Sequence, residues 1–193
     1  MSGKGVLGSI IGSVILSVII TSALIYFMAP VFFPGSLERN IVLQYQYNEW
    51  NSPAYIFDNE LAYKKMNDTE IAITTNQESR LFVEFSAIAL LALDSVFTIR
   101  SSYNVSLVVT GVTNRTIMVL YYDGGPSSGY FRELTYNLHI NLLTQPLPPG
   151  TYTIEVFWKS TWDATGTFNS LSVAHAPTYN YTRTLLVQEL KTI

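Results

Sequence analysis

The sequence predicts an all-β antiparallel domain carried on one N-terminal transmembrane α-helix. Two observations carry this. The first 39 of 193 residues hold almost no charge, and the rest of the chain changes from helical to two-residue periodicity. Zero cysteines exclude disulfides, thiol catalysis and thiolate metal sites. Eleven Lys+Arg against fourteen Asp+Glu leave no basic field, so binding to nucleic acid through its phosphates is disfavoured.

The membrane segment comes first. No Asp, Glu, Lys or Arg lies between Lys4 and Glu38. Residues 6–29 are rich in Ile, Val, Leu and Ser. At ~1.5 Å per residue such a helix reaches about 36 Å, enough to span a hydrocarbon core of ~30 Å with some tilt. Pro30 and Pro34-Gly35 end it, and Tyr26, Phe27, Phe32 and Phe33 cluster at the exit, where aromatic rings settle at an interface. A signal peptide would have a shorter apolar region and a small-residue cleavage site, and Pro30 directly after Ala29 is a poor place to cut. A pilin-type leader clipped after Lys4-Gly5 is the other alternative. The expected organisation is a short tail (1–5), a membrane helix (6–29), a Pro/Gly linker (30–39) and a β-domain (40–191). Lys4 and the amino terminus favour an interior N-terminus with the β-domain outside.

Within the helix, Gly8 and Gly12 form Gly-x-x-x-Gly, with Ser9, Ser13 and Ser17 repeating every four residues beside them. Small residues at that spacing let membrane helices approach closely. Beyond it stand four Asn-x-Ser/Thr sequons, at Asn67, Asn104, Asn114 and Asn180. Their shared position beyond the apolar segment favours an exported, glycosylated face, although such residues also serve as ordinary polar turns.

The strands follow in order. Ile41–Tyr47, Glu70–Thr74, Leu81–Ala89, Ser95–Arg100, Val105–Val109, Thr116–Tyr122, Leu134–Leu142, Tyr152–Trp158 and Thr184–Leu190 are expected strands, most with clear alternation. Leu81, Val83, Phe85, Tyr152, Ile154, Val156 and Trp158 are expected to face the core. Gly- and Pro-rich stretches at 123–129 and 145–150 break the runs. Asn48 to Met66 fits neither period and reads as an irregular loop. Ser160 to Tyr179, rich in Ser, Ala, Thr and Asn, reads as a surface insert. Nine or ten short strands at this spacing indicate a sandwich or barrel.

Three stretches resemble a known family. Asp68-Thr-Glu-Ile-Ala-Ile-Thr-Thr-Asn-Gln-Glu-Ser-Arg-Leu-Phe-Val-Glu-Phe-Ser-Ala87 resembles the opening strands of tumour-necrosis-factor-like and complement-q-like jelly rolls. Leu147-Pro-Pro-Gly-Thr-Tyr-Thr-Ile-Glu-Val-Phe-Trp158 is similar to their late Pro-Gly-Thr-Tyr element. Arg183-Thr-Leu-Leu-Val-Gln-Glu-Leu190 is similar to their terminal strand, which viral and phage fibre tips also use. The resemblance covers about residues 68–191. It implies a ten-strand jelly roll, commonly a homotrimer, that recognises a partner and does not catalyse a reaction.

Chemistry leaves few candidates. Glu84, Glu155 and Glu189 fall on separate strands and read as solvated residues or partners of Arg80, Arg132 and Arg183. His139 falls on the polar side of its strand, 36 positions from His175, so no histidine metal cluster is expected. No phosphate-cradling Gly loop, Gly-x-Ser-x-Gly or His-Glu-x-x-His occurs. No cofactor and no catalytic residue is expected. Tyr122 and Tyr130, flanking the Gly-rich loop, form a candidate contact with a partner, because tyrosine joins apolar area to a polar tip. The expectation is a membrane-anchored surface protein, either a virion spike or membrane component or a cell-surface adhesin, of archaeal or viral origin. Its partners would be lipid, further copies of itself, and protein or glycan on a host or neighbouring surface. The alternative is an archaeal pilin-like filament or secretion-apparatus subunit.

Overall fold

The computed structural model describes residues 40–93, 100–122, 132–161, 169–174 and 181–192. The expected anchor and linker, the Gly8, Ser9, Gly12, Ser13 and Ser17 face, Ser95–Arg100 up to residue 99, Tyr130 and Asn180 lie outside the described residues. Every element described is a strand: β1 (Asn40–Trp50), β2 (Ala54–Phe57), β3 (Lys64–Thr75), β4 (Arg80–Leu93), β5 (Arg100–Val109), β6 (Thr113–Tyr122), β7 (Arg132–Leu143), β8 (Gly150–Ser160), β9 (Ser170–Val173) and β10 (Arg183–Thr192).

The strands form an antiparallel sandwich of two sheets. In the six-stranded sheet β4 is central. One of its edges pairs with β7 along residues 82–93. Its other edge pairs with β10 along residues 80–87 and with β9 along residues 89–92, so β10 and β9 lie end to end. β1 flanks β10, and β2 flanks β9. The four-stranded sheet runs β3-β8-β5-β6. Thus β3 and β4, β4 and β5, β6 and β7, and β7 and β8 lie in opposite sheets. This alternation is consistent with the wiring that the jelly-roll resemblance implies.

Alternation puts the core between the sheets. Successive side chains of a strand point to opposite faces, and in β4 Leu81, Val83, Phe85, Ala87, Ala89, Leu91 and Leu93 are all buried. Leu185 and Val187 of β10 and Leu138 and Ile140 of β7 join them. Tyr103, Val105, Leu107 and Val109 of β5 and Ile154, Val156 and Trp158 of β8 close over them from the other sheet. Of the seven core residues expected, six are buried. Tyr152 is half-buried at the border, where its hydroxyl donates to the Pro148 carbonyl at 2.6 Å. The β5–β6 hairpin turns through Gly111, whose φ of 74° favours a residue without Cβ.

Two expectations are corrected. Asn48–Met66 is not wholly irregular, because Ala54–Phe57 forms β2, with Ala54 and Ile56 buried, and β3 begins at Lys64. Ser160–Tyr179 is not simply a surface insert either. Ser170–Val173 forms β9, and Leu171 and Val173 enter the core. The two short strands pair with each other, Ala54 opposite Val173 and Phe57 opposite Ser170. Each shields the other's backbone groups, which four isolated residues could not do.

Candidate functional site

Three places on the sandwich concentrate side chains that a fold alone does not require. The first is the outer face of the six-stranded sheet. Gln44 and Trp50 turn inward from β1, so the odd-numbered Ile41, Leu43, Tyr45 and Tyr47 turn outward, each 39–68% exposed. Phe57 of β2 and Leu143 of β7 are exposed on the same sheet. Phe82 and Leu186 lie half-buried between β1 and β7, with Phe82 directly opposite Leu143, whereas Phe57 is level with Ala92 at the far end of β4. Glu84 interrupts this apolar area, with His139 Nδ1 3.9 Å from its carboxylate. His139 is exposed, as its place on the polar side of β7 predicts.

The second place is the outer face of the four-stranded sheet. The Tyr63 ring lies under Lys159, whose Nζ stands 4.8 Å from the ring centre. Ser106 Oγ donates to the Tyr63 hydroxyl at 3.3 Å and shares a 2.6 Å hydrogen bond with Thr116 Oγ1. These contacts, led by Ser106 and joined by Asn104, hold the Tyr63 phenol below its ordinary pKa. Tyr63, Ser106, Val108, Asn114, Thr116 and Phe157 line an open groove of about 260 Å³. Lys65 pairs with Glu155 at 2.8 Å and also with Glu70. Lys65 therefore holds the Glu155 carboxyl below the usual range, and the two carboxylates raise Lys65.

The third is a buried clamp at Arg183. Its side chain is wholly buried. Nε donates to Thr69 Oγ1 and Nη2 to the Asn67 carbonyl, both at 2.7 Å, and Nη1 donates to the Ser52 carbonyl. The guanidinium stands 5.7 Å from the centre of the Trp50 ring. Burial lowers its pKa, partly offset by Asp68. Asp68 itself sits at φ 56°, inside the β3 bulge where the register with β8 shifts.

The expected carboxylates do not meet. Glu84 lies outside the large sheet, Glu155 outside the small one, and Glu189 points inward from β10. None is partnered by Arg80 or Arg183 in the contacts above. Glu155 takes Lys65 and the Thr110 hydroxyl. Glu189 is buried, not solvated, and accepts from Gln44 Nε2 at 2.6 Å while its other oxygen has no hydrogen-bond partner. Among the described residues no group of three or more His, Asp or Glu is placed to hold a metal.

Three of the sequon asparagines are described, and all belong to strands of the four-stranded sheet. Asn67 is exposed in the β3 bulge, Asn104 is half-buried on β5 and Asn114 is exposed on β6. Tyr122 ends β6, ahead of the Gly-rich stretch. Strand parity could have exposed what the sequence reading missed at Arg183 and Glu189. Both share the odd-numbered face of β10 with Leu185 and Val187, so both had to point inward.

No family model matches the chain. No curated protein matches it either. Among solved structures it is similar to the icosahedral particle of infectious bursal disease virus. There the identity is 13%, with 78% of this chain and 38% of that chain covered, at a TM-score of 0.33. A subviral particle of the same virus gives 13% identity over 78% and 40% of the two chains, at a TM-score of 0.25. The Eiger TNF of S. frugiperda gives 8% identity over 73% and 93%, at 0.29. The chain thus spans about two fifths of the length of the bursal disease virus chains it is aligned with.

Proposed function

We propose that the chain is a membrane-anchored, surface-displayed structural or recognition protein without catalytic activity. Its sandwich is a jelly-roll head that assembles as a homo-oligomer, a trimer in the arrangement the family resemblance implies. It serves as a spike or membrane component of a virion, or as an adhesin. Residues 6–29 hold it in the membrane, and the head stands outside to bind a surface or support other coat parts.

One observation carries this reading: exposed apolar side chains gather on the outer face of the six-stranded sheet, while those of the four-stranded sheet, Met118 and Leu120, lie on its edge strand β6. The six-stranded sheet presents Ile41, Leu43, Tyr45, Tyr47, Phe57 and Leu143 to solvent. All three described sequons belong to the other sheet. An apolar area of this sort is what oligomer interfaces cover. Copies meeting through it keep the sequon-bearing sheet at the periphery, where attached sugars obstruct nothing. Anchored copies also share one membrane, which raises their effective concentration. Glu84 and His139, set within the apolar area, would fix how copies align.

The test is sedimentation of the detergent-solubilised chain beside a Phe82→Lys/Leu186→Lys double variant. The parent is expected at the trimer mass and the variant at the monomer mass. A parent that runs as a monomer at micromolar concentration overturns the assembly. Release of the native protein from membranes by carbonate without detergent overturns the anchor.

A further inference from the structure

We propose that Asn114 carries an N-linked glycan whose first sugar ring lies in the groove between Tyr63, Val108 and Phe157, as part of the folded head. This rests on the reading that the head is exported. It assigns to one of the four sequons both a modification and a seat for it.

The acceptor lines the groove itself. Asn114 is exposed on β6 and stands opposite Val108 of β5, which in turn stands opposite Glu155 of β8. In the next row Thr116 faces Ser106, which faces Phe157. Strands in a sheet lie ~4.8 Å apart, so a ring joined to the Asn114 amide reaches over Val108 towards Phe157. Clefts that enclose drug-sized ligands run ~300–1,000 Å³. The groove, at about 260 Å³, suits one ring with the rest of the chain of sugars in solvent. Its floor is apolar, and its border carries the Ser106 and Thr116 hydroxyls and the Tyr63 phenol. A pyranose has the matching character, with C–H groups on its faces and hydroxyls at its edge. Those slightly positive hydrogens meet the negative face of an aromatic ring favourably. Tyr63 is already fixed, by Ser106 at its hydroxyl and by Lys159 against its ring, so little side-chain freedom is lost on contact.

The other two described sequons lack this setting. Asn104 is half-buried on β5 and is not among the residues that line the groove. Asn67 lies in the β3 bulge, where Arg183 holds its backbone carbonyl, and it is not among the residues that line the groove.

The transfer needs a lipid-phosphate-linked oligosaccharide as donor, supplied by the host's transferase. The Asn114 amide nitrogen attacks the anomeric carbon and forms the C–N bond. The bond from that carbon to the phosphate oxygen breaks, and the phosphate leaves with its electron pair. One amide proton is lost to base.

The experiment expresses the full chain in a eukaryotic secretory host and maps the four sequons by glycopeptide mass spectrometry. Melting is then compared for the intact glycoprotein, for material trimmed by an endoglycosidase to the first N-acetylglucosamine, and for an Asn114→Gln variant. Occupancy at Asn114 is expected. Trimming should leave Tm unchanged, and Asn114→Gln should lower it by about 2–4 °C. Tyr63→Leu should remove that difference without changing occupancy. Sugar at other sequons with Asn114 bare overturns the seat alone. Four bare sequons overturn the export reading as well. An occupied Asn114 overturns the seat if Asn114→Gln leaves Tm unchanged, if trimming costs as much as removal, or if Tyr63→Leu preserves the difference.

Discussion

Replacing Arg183 is expected to loosen one corner of the sandwich without disturbing its core. The guanidinium joins three segments distant in sequence: Ser52 after β1, Asn67 and Thr69 in the β3 bulge, and the start of β10. Two of its contacts stand at 2.7 Å. Hydrogen bonds to charged groups contribute about 1.5–3 kcal/mol each, so those two alone come to about 3–6 kcal/mol. Desolvating a cation with no carboxylate in contact opposes this, and a net cost of about 3 kcal/mol is expected for Arg183→Ala. That is a large part of the ~5–15 kcal/mol that holds an ordinary domain together. Arg183→Met removes the charge at similar volume but leaves the Ser52 carbonyl without its donor and the Asn67 carbonyl with the Thr69 hydroxyl alone, so about 2 kcal/mol should still be lost. Arg183→Lys should recover part of it through fewer donors. Urea unfolding in detergent gives these differences, and hydrogen exchange should show lost protection around Asn67–Thr69 before any in β4. A Met variant within about 0.5 kcal/mol of the parent would refute the reasoning, because the clamp would then be only a space-filler.

Four further outcomes follow. Trp158→Ala should cost about 3–5 kcal/mol, read by thermal unfolding, because the indole lies in the core opposite Val105. Gly111→Ala should cost about 1 kcal/mol through its φ of 74° alone, since open space surrounds the position. Glu155→Gln should cost at most about 1 kcal/mol at neutral pH, because Lys65 and Glu155 are partly solvated. The Glu155 carboxyl is depressed in the folded state, so its contribution is present above the unfolded pKa and fades as pH falls through the folded one; stability against pH for the two proteins should converge in acid. Ser106→Ala should move the Tyr63 phenolate transition back up towards its ordinary value, followed by ultraviolet titration.

The long strands were legible because their alternation is regular. Leu81 to Ala89 and Tyr152 to Trp158 show which side is core before any partner is known, and the structure buries nearly all of the residues they nominate. β2 and β9 were not legible. Each has four residues, too few for a period, and each makes sense only beside the other, more than a hundred positions away. Likewise, no local pattern joins Arg183 to the Ser52 and Asn67 carbonyls, since main-chain acceptors leave no mark in a sequence. The groove beside Asn114 had a partial signal in its sequon. Tyr63, from a stretch read as loop, completes it only when β3, β8, β5 and β6 lie side by side.

The place of β10 sets the order in which this chain can fold. β10 lies between β1 and β4. Until residues 183–192 have left the ribosome, β1 has no neighbour in the sheet to join, and β4 keeps half of one edge bare. The six-stranded sheet therefore cannot close until β10 is free to pair. Loops that must span the whole domain before any contact rewards them make folding slow. If the head is threaded across a membrane as proposed, it crosses as an open chain, and its apolar sheet face forms only on the far side. There the neighbouring copies it would meet are already tethered.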